Sequence, residues 1–319
     1  MSAETTTTER PTYVLARAEV RAVTRVSPSF VRVTFAGSEL FEFGTPGEVI
    51  DSRIKLIFPP ASGILPTLDR ESGDWWGSFL AVPEEERGSM RTYSVRDLRV
   101  DADGTELDVD FVLHLEPGLT GPASLWASTA AVGKELYLVG PRRGVDAEAH
   151  GGAEYAPGTA ASVVLAGDET AAPAIARILE DAPRDLRGVA FIEVPSPADI
   201  LRIDVPAGVE VHWLPRDAGD PHGLRLIPAV LAHLGDADAS DEISVRDIET
   251  EDLLWETPDY SGLGEEIAAA DAPAERYFWI AGESGVVTTL RRHLVKDLGI
   301  DRSQVAFMGY WRRGVAMRG

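Results

Sequence analysis

The hydrophobic pattern of this chain changes its period about halfway along the sequence. Before His150, short runs rich in β-branched and aromatic residues are separated by glycine, proline and aspartate. Such runs are typical of antiparallel strands, and about six of them in succession favour a closed or nearly closed barrel. After Thr159, apolar runs alternate with helical segments, which is typical of a doubly wound parallel α/β sheet. The sequence therefore predicts two domains of different class.

The boundaries follow from the same pattern. We expect a disordered tail over 1–12, an antiparallel Greek-key β-barrel over 13–150 and an α/β domain over 158–319, with a linker rich in Gly, Ala and Pro around His150–Thr159. The predicted barrel strands are Val14–Val26, Phe30–Phe35, Arg53–Phe58, Arg91–Leu98, Leu107–Leu115 and Glu135–Val139. The predicted elements of the sheet domain are strands Ser162–Ala166, Val189–Val194, Val209–Leu214, Tyr277–Ala281 and Val305–Met308, and helices ending at Glu180 and spanning Leu224–Leu234 and Val286–Leu298.

Composition restricts the chemistry. Cysteine is absent, so disulfides, thiolate metal sites and iron–sulfur ligation are excluded, and redox chemistry would need an organic cofactor. The six histidines are scattered without an i, i+4 pair, and we expect no metal site. The formal charge of −22 argues against nucleic acid and anionic membranes as partners. An anionic substrate would therefore need a local basic pocket. The N-terminus lacks a signal-peptide pattern, and we expect a cytoplasmic protein without membrane insertion.

Acidic residues concentrate in one segment, Asp236–Asp271, where Arg246 is the single basic residue. We interpret this segment as a solvated, partly mobile surface insertion. A docking surface for a partner is the alternative.

The stretch Arg91–Arg96 places a cation, an aromatic ring and two hydroxyls on one short extended run. Side chains alternate between the faces of a strand, so Arg91 and Tyr93 point one way and Thr92 and Ser94 the other. A flat aromatic donor beside a fixed cation suits a ligand that is planar at one end and phosphorylated at the other. The alternative is an ordinary barrel strand with an exposed arginine.

Three further segments suggest where a nucleotide could bind. Thr120 is a plausible N-cap for a helix that ends near Ser128, and its first N–H groups with the Ser124 hydroxyl could bind an anion, although a capped helix needs no ligand. The turns Gly167–Thr170 and Gly282–Gly285 each follow a predicted parallel strand, where α/β sheets bind ligands. Neither turn is a G-x-G-x-x-G fingerprint, and glycine is useful in such turns for structural reasons alone.

These motifs occur together, in order, in one known family. The chain resembles the siderophore-interacting proteins, FAD-dependent ferric-siderophore reductases with a ferredoxin-reductase-like plan. The resemblance covers nearly the whole chain and rests on segments Arg91–Arg96, Asp110–His114, Gly121–Ala127, Gly140–Arg142, Gly167–Thr170 with Pro173–Ile175, Ala281–Glu283 and Gly309–Arg312. Two departures matter: Leu115 follows His114 where the family often has glycine, and Ala281-Gly282-Glu283 stands where classical ferredoxin reductases have Cys-Gly-Pro.

The resemblance implies roles for individual residues. Arg91 would contact the FAD pyrophosphate, and the ring of Tyr93 would pack against the isoalloxazine. The other residues that the resemblance places at FAD are Thr92, Ser94, Val95, His114, Leu115, Ala123, Ser124 and Trp126. Those that it places at the nicotinamide nucleotide or over the cofactor are Asp168, Thr170, Gly282, Glu283, Ser284 and Trp311. Lys55 and Arg53 share the outer face of their strand and would attract the ferric chelate.

The function that this resemblance implies is electron transfer from NADH or NADPH through FAD to Fe(III) in a siderophore. No catalytic acid or base is expected, because the flavin carries the chemistry. A flavin reductase with another acceptor and a non-catalytic siderophore carrier are the alternatives. We expect a monomer whose partner is the ferric siderophore. Arg216 and the pair Arg291–Arg292 could meet a 2′-phosphate, but Asp217 and the general acidity of the chain weaken this assignment, so the choice between NADH and NADPH stays open.

Overall fold

The structure is a computed structural model. It describes residues 11–47, 49–70, 73–115, 120–145, 152–238, 245, 254–257, 260–261 and 275–314. Residues 1–10 of the predicted tail 1–12 and most of the acidic segment 236–271 lie outside these residues. Within the described part of the chain, no helix has the length and hydrophobicity needed to cross a membrane.

The first domain is one curled antiparallel sheet in the order β4-β3-β7-β1-β2-β6-β5. Its strands are β1 (Tyr13–Arg25), β2 (Phe30–Ala36), β3 (Arg53–Phe58), β4 (Ser89–Ser94), β5 (Asp97–Val100), β6 (Thr105–Val112) and β7 (Glu135–Pro141). Two short helices, α1 (Trp75–Ala81) and α2 (Glu84–Arg87), lie between β3 and β4, and α3 (Pro122–Ser128) lies between β6 and β7.

The predicted strand Arg91–Leu98 is two strands at opposite edges of this sheet. The backbone N–H of Val95 donates to Ser52 beside β3, and the next N–H, that of Arg96, donates to Asp108 of β6. Two consecutive residues thus pair toward opposite edges of the sheet. This is possible because the sheet curls into a barrel and brings its two edges together. Trp126 of α3 fills the interior, stacked on Phe35 at 6.1 Å.

The second domain is a seven-stranded mixed sheet in the order β10-β9-β8-β13-β14-β11-β12. Its strands are β8 (Ser162–Gly167), β9 (Arg187–Val194), β10 (Gly208–Pro215), β11 (Trp255–Thr257), β12 (Tyr260–Ser261), β13 (Arg276–Glu283) and β14 (Val305–Trp311). Its α-helices are α4 (Ala172–Asp181), α5 (Leu226–His233) and α6 (Ser284–Arg292), and α6 continues as a π-helical turn over His293–Asp297. Five strands lie side by side and pair in parallel, in the order β10, β9, β8, β13 and β14.

Helices cover both faces of the parallel strands, as a doubly wound sheet requires. The apolar side of α4 packs with β8 and β9 on one face, whereas α5 and α6 pack on the other. The barrel residues Phe30 and Val112 belong to the same buried cluster as α4. The hydrophobic core therefore continues from one domain into the other, and the fold class predicted from the sequence is confirmed.

The acidic segment contains a sheet strand, which corrects its interpretation as a wholly solvated insertion. Trp255 and Glu256 of β11 pair antiparallel with β14. Glu256 is buried, accepts a hydrogen bond from Nε of Arg291 at 2.5 Å and forms an ion pair with Arg302 at 3.3 Å. A carboxylate neutralised by two guanidinium groups can be buried. The acidic composition of the segment therefore does not mean that all of its carboxylates are solvated.

Candidate functional site

A cavity of about 1010 Å³ lies at the junction of the two domains. The barrel contributes β3, β4, the end of β6 and the start of α3, and the sheet contributes β14 and the loops that follow β8, β9 and β10. Its volume is at the upper end of the range for ligand pockets. The sheet side of the cavity is the carboxyl edge of the parallel strands, where open α/β sheets bind ligands.

The structure brings most of the predicted site residues to this cavity. Those that line it are Arg53, Lys55, Arg91, Thr92, Tyr93, Ser94, His114, Ala123, Ser124, Thr170 and Trp311. Three others lie elsewhere: Val95 and Trp126 are buried in the barrel core, and the Leu115 side chain is 49% exposed. The remaining four are buried behind Thr170 and Trp311, the predicted residues on the side of the cavity that the sheet domain forms, which we call the sheet wall. They are Asp168, Gly282, Glu283 and Ser284.

The β4 wall is formed by a packed ring and a half-buried cation. The ring of Tyr93 lies 4.6 Å from that of Phe111, against the barrel core. Burial raises the pKa of the Tyr93 hydroxyl, which is therefore neutral at physiological pH. Burial lowers the pKa of Arg91, whose guanidinium donates to the carbonyl of Met90 at 2.6 Å. The guanidinium retains its charge because the unperturbed pKa of arginine is far above neutrality.

The cavity concentrates positive charge in an acidic protein. Lys55 donates from Nζ to the Thr92 hydroxyl at 2.6 Å, and burial followed by repulsion from Arg53 lowers the pKa of Lys55. Arg53 itself is held by Glu154 at 2.5 Å and lies 4.3 Å above the ring of Trp255. Arg91, Arg312 and Arg313 add to this wall. A chain with a formal charge of −22 thus has the local basic pocket that an anionic substrate requires.

The start of α3 differs from its prediction. Gly121, not Thr120, is the N-cap, and it makes no side-chain capping hydrogen bond to the helix. Pro122 at the first helical position holds the preceding residue in an extended conformation, which moves the helix start by one residue. Ser124 donates its hydroxyl to the Val112 carbonyl at 2.8 Å and accepts from the His114 N–H at 3.2 Å. This hydroxyl therefore joins α3 to the end of β6.

Asp168 organises the sheet wall. Its carboxylate accepts from the N–H and hydroxyl of Thr170 at 2.8 and 2.5 Å, from the N–H of Glu283 at 2.7 Å and from Nε1 of Trp311 at 2.9 Å. Gly282 has φ +140°, and a Cβ at this position would lie 2.7 Å from the Asp168 carboxyl. One buried carboxylate thus connects both predicted turns with the C-terminal tryptophan.

A second buried carboxylate joins the two domains. Glu169 forms two hydrogen bonds with the guanidinium of Arg216, at 2.8 and 2.9 Å, and contacts Nε2 of both His114 and His222 at 3.0 Å. Burial alone would raise the pKa of Glu169, but these hydrogen bonds hold it well below its ordinary value. Burial opposes protonation of His222, yet its hydrogen bond with Glu169 gives a net rise in the His222 pKa. Trp311 lies against both imidazole rings, at 5.0 and 4.8 Å.

The predicted site omitted several cavity residues, among them His222, Tyr310 and Asp110. His222 follows the carboxyl end of β10, and its place after a predicted parallel strand could have indicated it. Asp110 is buried and accepts from Arg32 at 2.7 and 2.9 Å. Tyr310 belongs to a motif that the sequence did single out, but its neighbours did not indicate that it would pack, partly buried, against the core of the sheet domain.

A barrel and a doubly wound sheet that share a basic cavity define a two-domain reductase fold of the ferredoxin-reductase class. A solved siderophore utilization protein from T. fusca has this fold, with a TM-score of 0.66, 30% identity and coverage of 95% of both chains. A ferredoxin reductase of a carbazole 1,9a-dioxygenase shares the fold at a TM-score of 0.55 and 20% identity, and the match covers 94% of this chain and 70% of that one.

Sequence comparison identifies the family. The family model "Siderophore-interacting protein" matches residues 160–314, and "Siderophore-interacting FAD-binding domain" matches residues 19–145. The chain is 37% identical to the Mycobacterium tuberculosis protein Rv2895c, over 93% of this chain and 89% of the relative. It is 32% identical to the ferric vibriobactin reductase ViuB of Vibrio cholerae, over 91% and 86%. An NADPH-dependent ferric-chelate reductase of Escherichia coli is 26% identical, over 92% and 91%. This chain belongs to the siderophore-interacting protein family.

Proposed function

We propose that this protein is an FAD-dependent oxidoreductase that transfers electrons from a nicotinamide nucleotide to Fe(III) in a siderophore. The observation that carries the proposal is the basic cavity at the domain junction, where Arg91–Ser94 of the barrel face the carboxyl edge of the parallel sheet. The names of the relatives support the same reaction, because they include reductases of ferric vibriobactin and of ferric chelates.

The residues of the cavity fit FAD. Arg91 supplies a cation for a pyrophosphate, and the uncapped start of α3 leaves backbone N–H groups at Ala123 and Ser124 for its oxygens. Tyr93 offers an aromatic ring whose hydroxyl stays neutral, and Ser94 offers a hydroxyl beside it. The proposed FAD-binding set also contains Thr92, Val95, His114, Leu115 and Trp126, of which Val95 and Trp126 would support β4 and α3 from the barrel core.

The proposed nicotinamide side is the wall that Asp168 organises. Thr170 and Trp311 face the cavity, and both are held by the Asp168 carboxylate. Gly282, Glu283 and Ser284 form the adjacent turn, in which the Glu283 carboxylate accepts from the N–H of Val286 and caps α6. These contacts fix the wall without using a mobile side chain, so a planar ring can be positioned between it and the β4 wall.

The flavin, when bound, accepts two electrons as a hydride and passes them on singly to Fe(III). The protein positions donor and acceptor and supplies charge. Lys55 is the proposed anchor for the acceptor, because its half-buried ammonium faces the cavity. Arg53 is more constrained, since Glu154 and Trp255 already hold its guanidinium, so we assign it to shaping the acceptor side.

We infer that NADH is the preferred donor. Arg216 is buried between Glu169 and Glu193, and Arg291 is buried against Glu256, so neither guanidinium is available to a 2′-phosphate. Asp217 and Asp220 face the cavity beside the end of β10. Both carboxylates are paired with the Arg225 guanidinium, at 2.7 and 3.3 Å, so they add little repulsion of a phosphate, and the inference rests on the two buried arginines. Direct comparison of NADH with NADPH tests this inference, because a relative from Escherichia coli is NADPH-dependent.

Anaerobic stopped-flow absorbance tests the proposal. FAD-loaded protein is mixed with NADH or NADPH, and the reduced protein is then mixed with a ferric hydroxamate, a ferric catecholate or a quinone. We expect bleaching of the flavin band by NADH, and recovery with ferric siderophores that is faster than with the quinone. Bleaching followed by faster recovery with the quinone would indicate a general flavin reductase. Lack of bleaching with either nucleotide, with tight siderophore binding, would indicate a carrier.

A further inference from the structure

Two histidines and a glutamate converge from distant parts of the sequence at one side of the cavity. His114 lies just beyond β6 of the barrel, Glu169 follows β8, and His222 follows β10. Their candidate ligand atoms all lie within 4.8 Å of one another. Glu169 is buried, whereas the imidazole rings are 31% and 20% exposed and line the cavity. The three side chains therefore meet at the boundary between protein interior and cavity.

More nitrogen atoms contact one carboxylate oxygen of this cluster than its lone pairs can accept as hydrogen bonds. Oε1 of Glu169 contacts Nη2 of Arg216 at 2.9 Å and Nε2 of both His114 and His222 at 3.0 Å. A carboxylate oxygen has about two lone-pair sites, and Arg216 uses one of them. Both imidazole nitrogens are then directed at the single remaining site. A single cation bound by that lone pair and by both nitrogens would satisfy all three groups.

The distances match those of adjacent metal ligands. Histidine nitrogen and carboxylate oxygen bind first-row ions at about 2.1 Å, so ligands at right angles are about 3 Å apart and opposite ligands about 4 Å apart. Both His–Glu distances are 3.0 Å. Two imidazoles and one carboxylate, with the other positions open, are a ligand set that binds Fe(II) in proteins. We propose that His114, Glu169 and His222 form a binding site for a divalent first-row transition-metal ion.

The surroundings of the cluster support such a site. Arg216 holds the Glu169 carboxylate through its other lone pairs, and Trp311 packs against both imidazole rings, so the ligands are oriented before an ion arrives. The ion would bind by ligand exchange without electron transfer, and each imidazole would release its Nε2 proton or carry it on Nδ1. Open positions toward the cavity would hold water or oxygens of the chelate.

The identity of the physiological ion rests on the proposed function. A reductase that converts chelated Fe(III) to Fe(II) produces, inside this cavity, a divalent ion that hard-oxygen chelators hold weakly. The cluster would receive this Fe(II) and hinder its return to the siderophore. The metal affinity itself can be measured without nicotinamide or siderophore, so the failure of the metal site and the failure of the reductase proposal are distinguishable.

The test is an anaerobic titration of the FAD-loaded protein with Fe(II) and, as a spectroscopic probe, with Co(II). We expect one saturable ion per chain and ligand-field absorption of bound Co(II). Replacing His222→Ala should weaken binding at least about tenfold, and His114→Ala should do the same, with FAD content recorded for each variant. The matched control is His212→Ala, because His212 also contacts a glutamate, Glu210 at 3.2 Å, but lies outside this cluster.

Three outcomes would overturn the proposal: absence of saturable binding, equal affinity in wild type and His222→Ala, and loss of affinity in His212→Ala. A purely hydrogen-bonded junction predicts the first or the second of these, together with a lower melting temperature in His222→Ala. Co(II) absorption separates the two cases, because a variant that is merely destabilised still shows the spectrum at temperatures where it is folded.

Discussion

We expect FAD binding to depend more on Arg91 than on any other proposed site residue. Its guanidinium lies on the cavity wall, half-buried beside the Tyr93 ring. A hydrogen bond to a charged group contributes about 1.5–3 kcal/mol, so Arg91→Ala should weaken FAD binding about 10- to 100-fold. Quenching of FAD fluorescence measures this affinity. The control is Arg184→Ala, because Arg184 forms an exposed pair with Asp204 at 2.8 Å, away from the cavity. Equal FAD affinity in wild type and Arg91→Ala would contradict the assignment.

Lys55 should affect the acceptor and leave the donor reaction unchanged. Removing its charge by Lys55→Gln should raise the KM for an anionic ferric siderophore about fivefold, which corresponds to the roughly 1 kcal/mol of a partly screened ion pair. The rate of flavin reduction by NADH should not change. Lys134→Gln is the control, because Lys134 is engaged with Thr129 far from the cavity. A slower reduction by NADH with an unchanged KM would place Lys55 on the donor side.

Asp51 makes stability depend on pH. It is fully buried, and burial raises its pKa to about 6. Oδ2 accepts from Nε1 of Trp279 and from the N–H of Glu154, whereas Oδ1 has no hydrogen-bond partner among the described residues. The folded-state pKa lies above the unfolded value of about 4. The contribution of Asp51 to the free energy of unfolding is therefore fully present at low pH and is lost as pH rises through about 6. The ionised carboxylate therefore costs about 3 kcal/mol above that pH.

The substitution Asp51→Asn removes this cost. Its amide oxygen can keep both hydrogen bonds while the NH₂ group takes the position of Oδ1. We expect the melting temperature of the variant to exceed that of the wild type by several degrees at pH 8 and by much less at pH 4. Differential scanning calorimetry at the two pH values measures the difference. Asp204→Asn, at an exposed position, should show no such trend, and an equal difference at both pH values would exclude Asp51 as the cause.

At the residue scale, sequence could identify the side chains of local motifs but not those assembled by folding. Arg91, Thr92, Tyr93 and Ser94 are consecutive in the edge strand β4, which lines the cavity, so one local motif was enough to identify them although their side chains alternate in direction. Glu169 meets His114 and His222 only because two domains and three strand ends converge. The expectation of no metal site considered spacing along the chain, and spacing contains no information about residues that lie more than fifty positions apart.

At the scale of elements, the turn between β13 and α6 has no room for a side chain at Gly282. Gly282→Ala would combine a φ of +140° with a Cβ only 2.7 Å from the Asp168 carboxyl. We expect displacement of Asp168, loss of its bond to Trp311 and a KM for NADH raised about tenfold or more, with FAD content unchanged. Steady-state kinetics and tryptophan fluorescence measure these effects.

The control variant distinguishes a steric clash of the added Cβ from strain of the backbone. Gly299 also has a positive φ, +66°, but among the described residues no atom would lie within 4 Å of a Cβ at that position. Gly299→Ala should therefore cost some stability and leave the KM for NADH unchanged. A similar KM in Gly282→Ala and wild type would show that the turn does not position the nucleotide.

Most elements could be predicted from hydrophobic periodicity, because each barrel strand and each β–α unit has its own apolar pattern. The errors came from interactions outside the local pattern. The β-branched and aromatic residues of Arg91–Leu98 predict one strand, and only the pairing of Val95 with Ser52 and of Arg96 with Asp108 shows that it is two. From its acidic neighbours in the sequence, Glu256 was expected to be solvated. In the structure it is buried, because Arg291 and Arg302 neutralise it.

At the scale of the whole molecule, polar contacts fix the two domains around the cavity. Arg96 of the barrel donates two hydrogen bonds to Glu180 of α4, at 2.6 and 2.7 Å. Asp199 of the sheet domain accepts from the hydroxyl of Ser27 and the N–H of Ser29, both at 2.7 Å. With the shared core at Phe30, these contacts hold the β4 wall opposite the sheet wall. The sequence predicted both domains, but the contacts that set their relative position join residues far apart in the chain.

The central claim is that FAD binds in the cavity between barrel and sheet, with Arg91 on its pyrophosphate. The most direct measurement is the visible spectrum and FAD content of protein incubated with excess FAD and freed of unbound cofactor by gel filtration. The account predicts a yellow protein with one FAD per chain and a flavin band that is much weaker in Arg91→Ala. A colourless wild-type protein, or one whose FAD content is unaffected by that substitution, would contradict it.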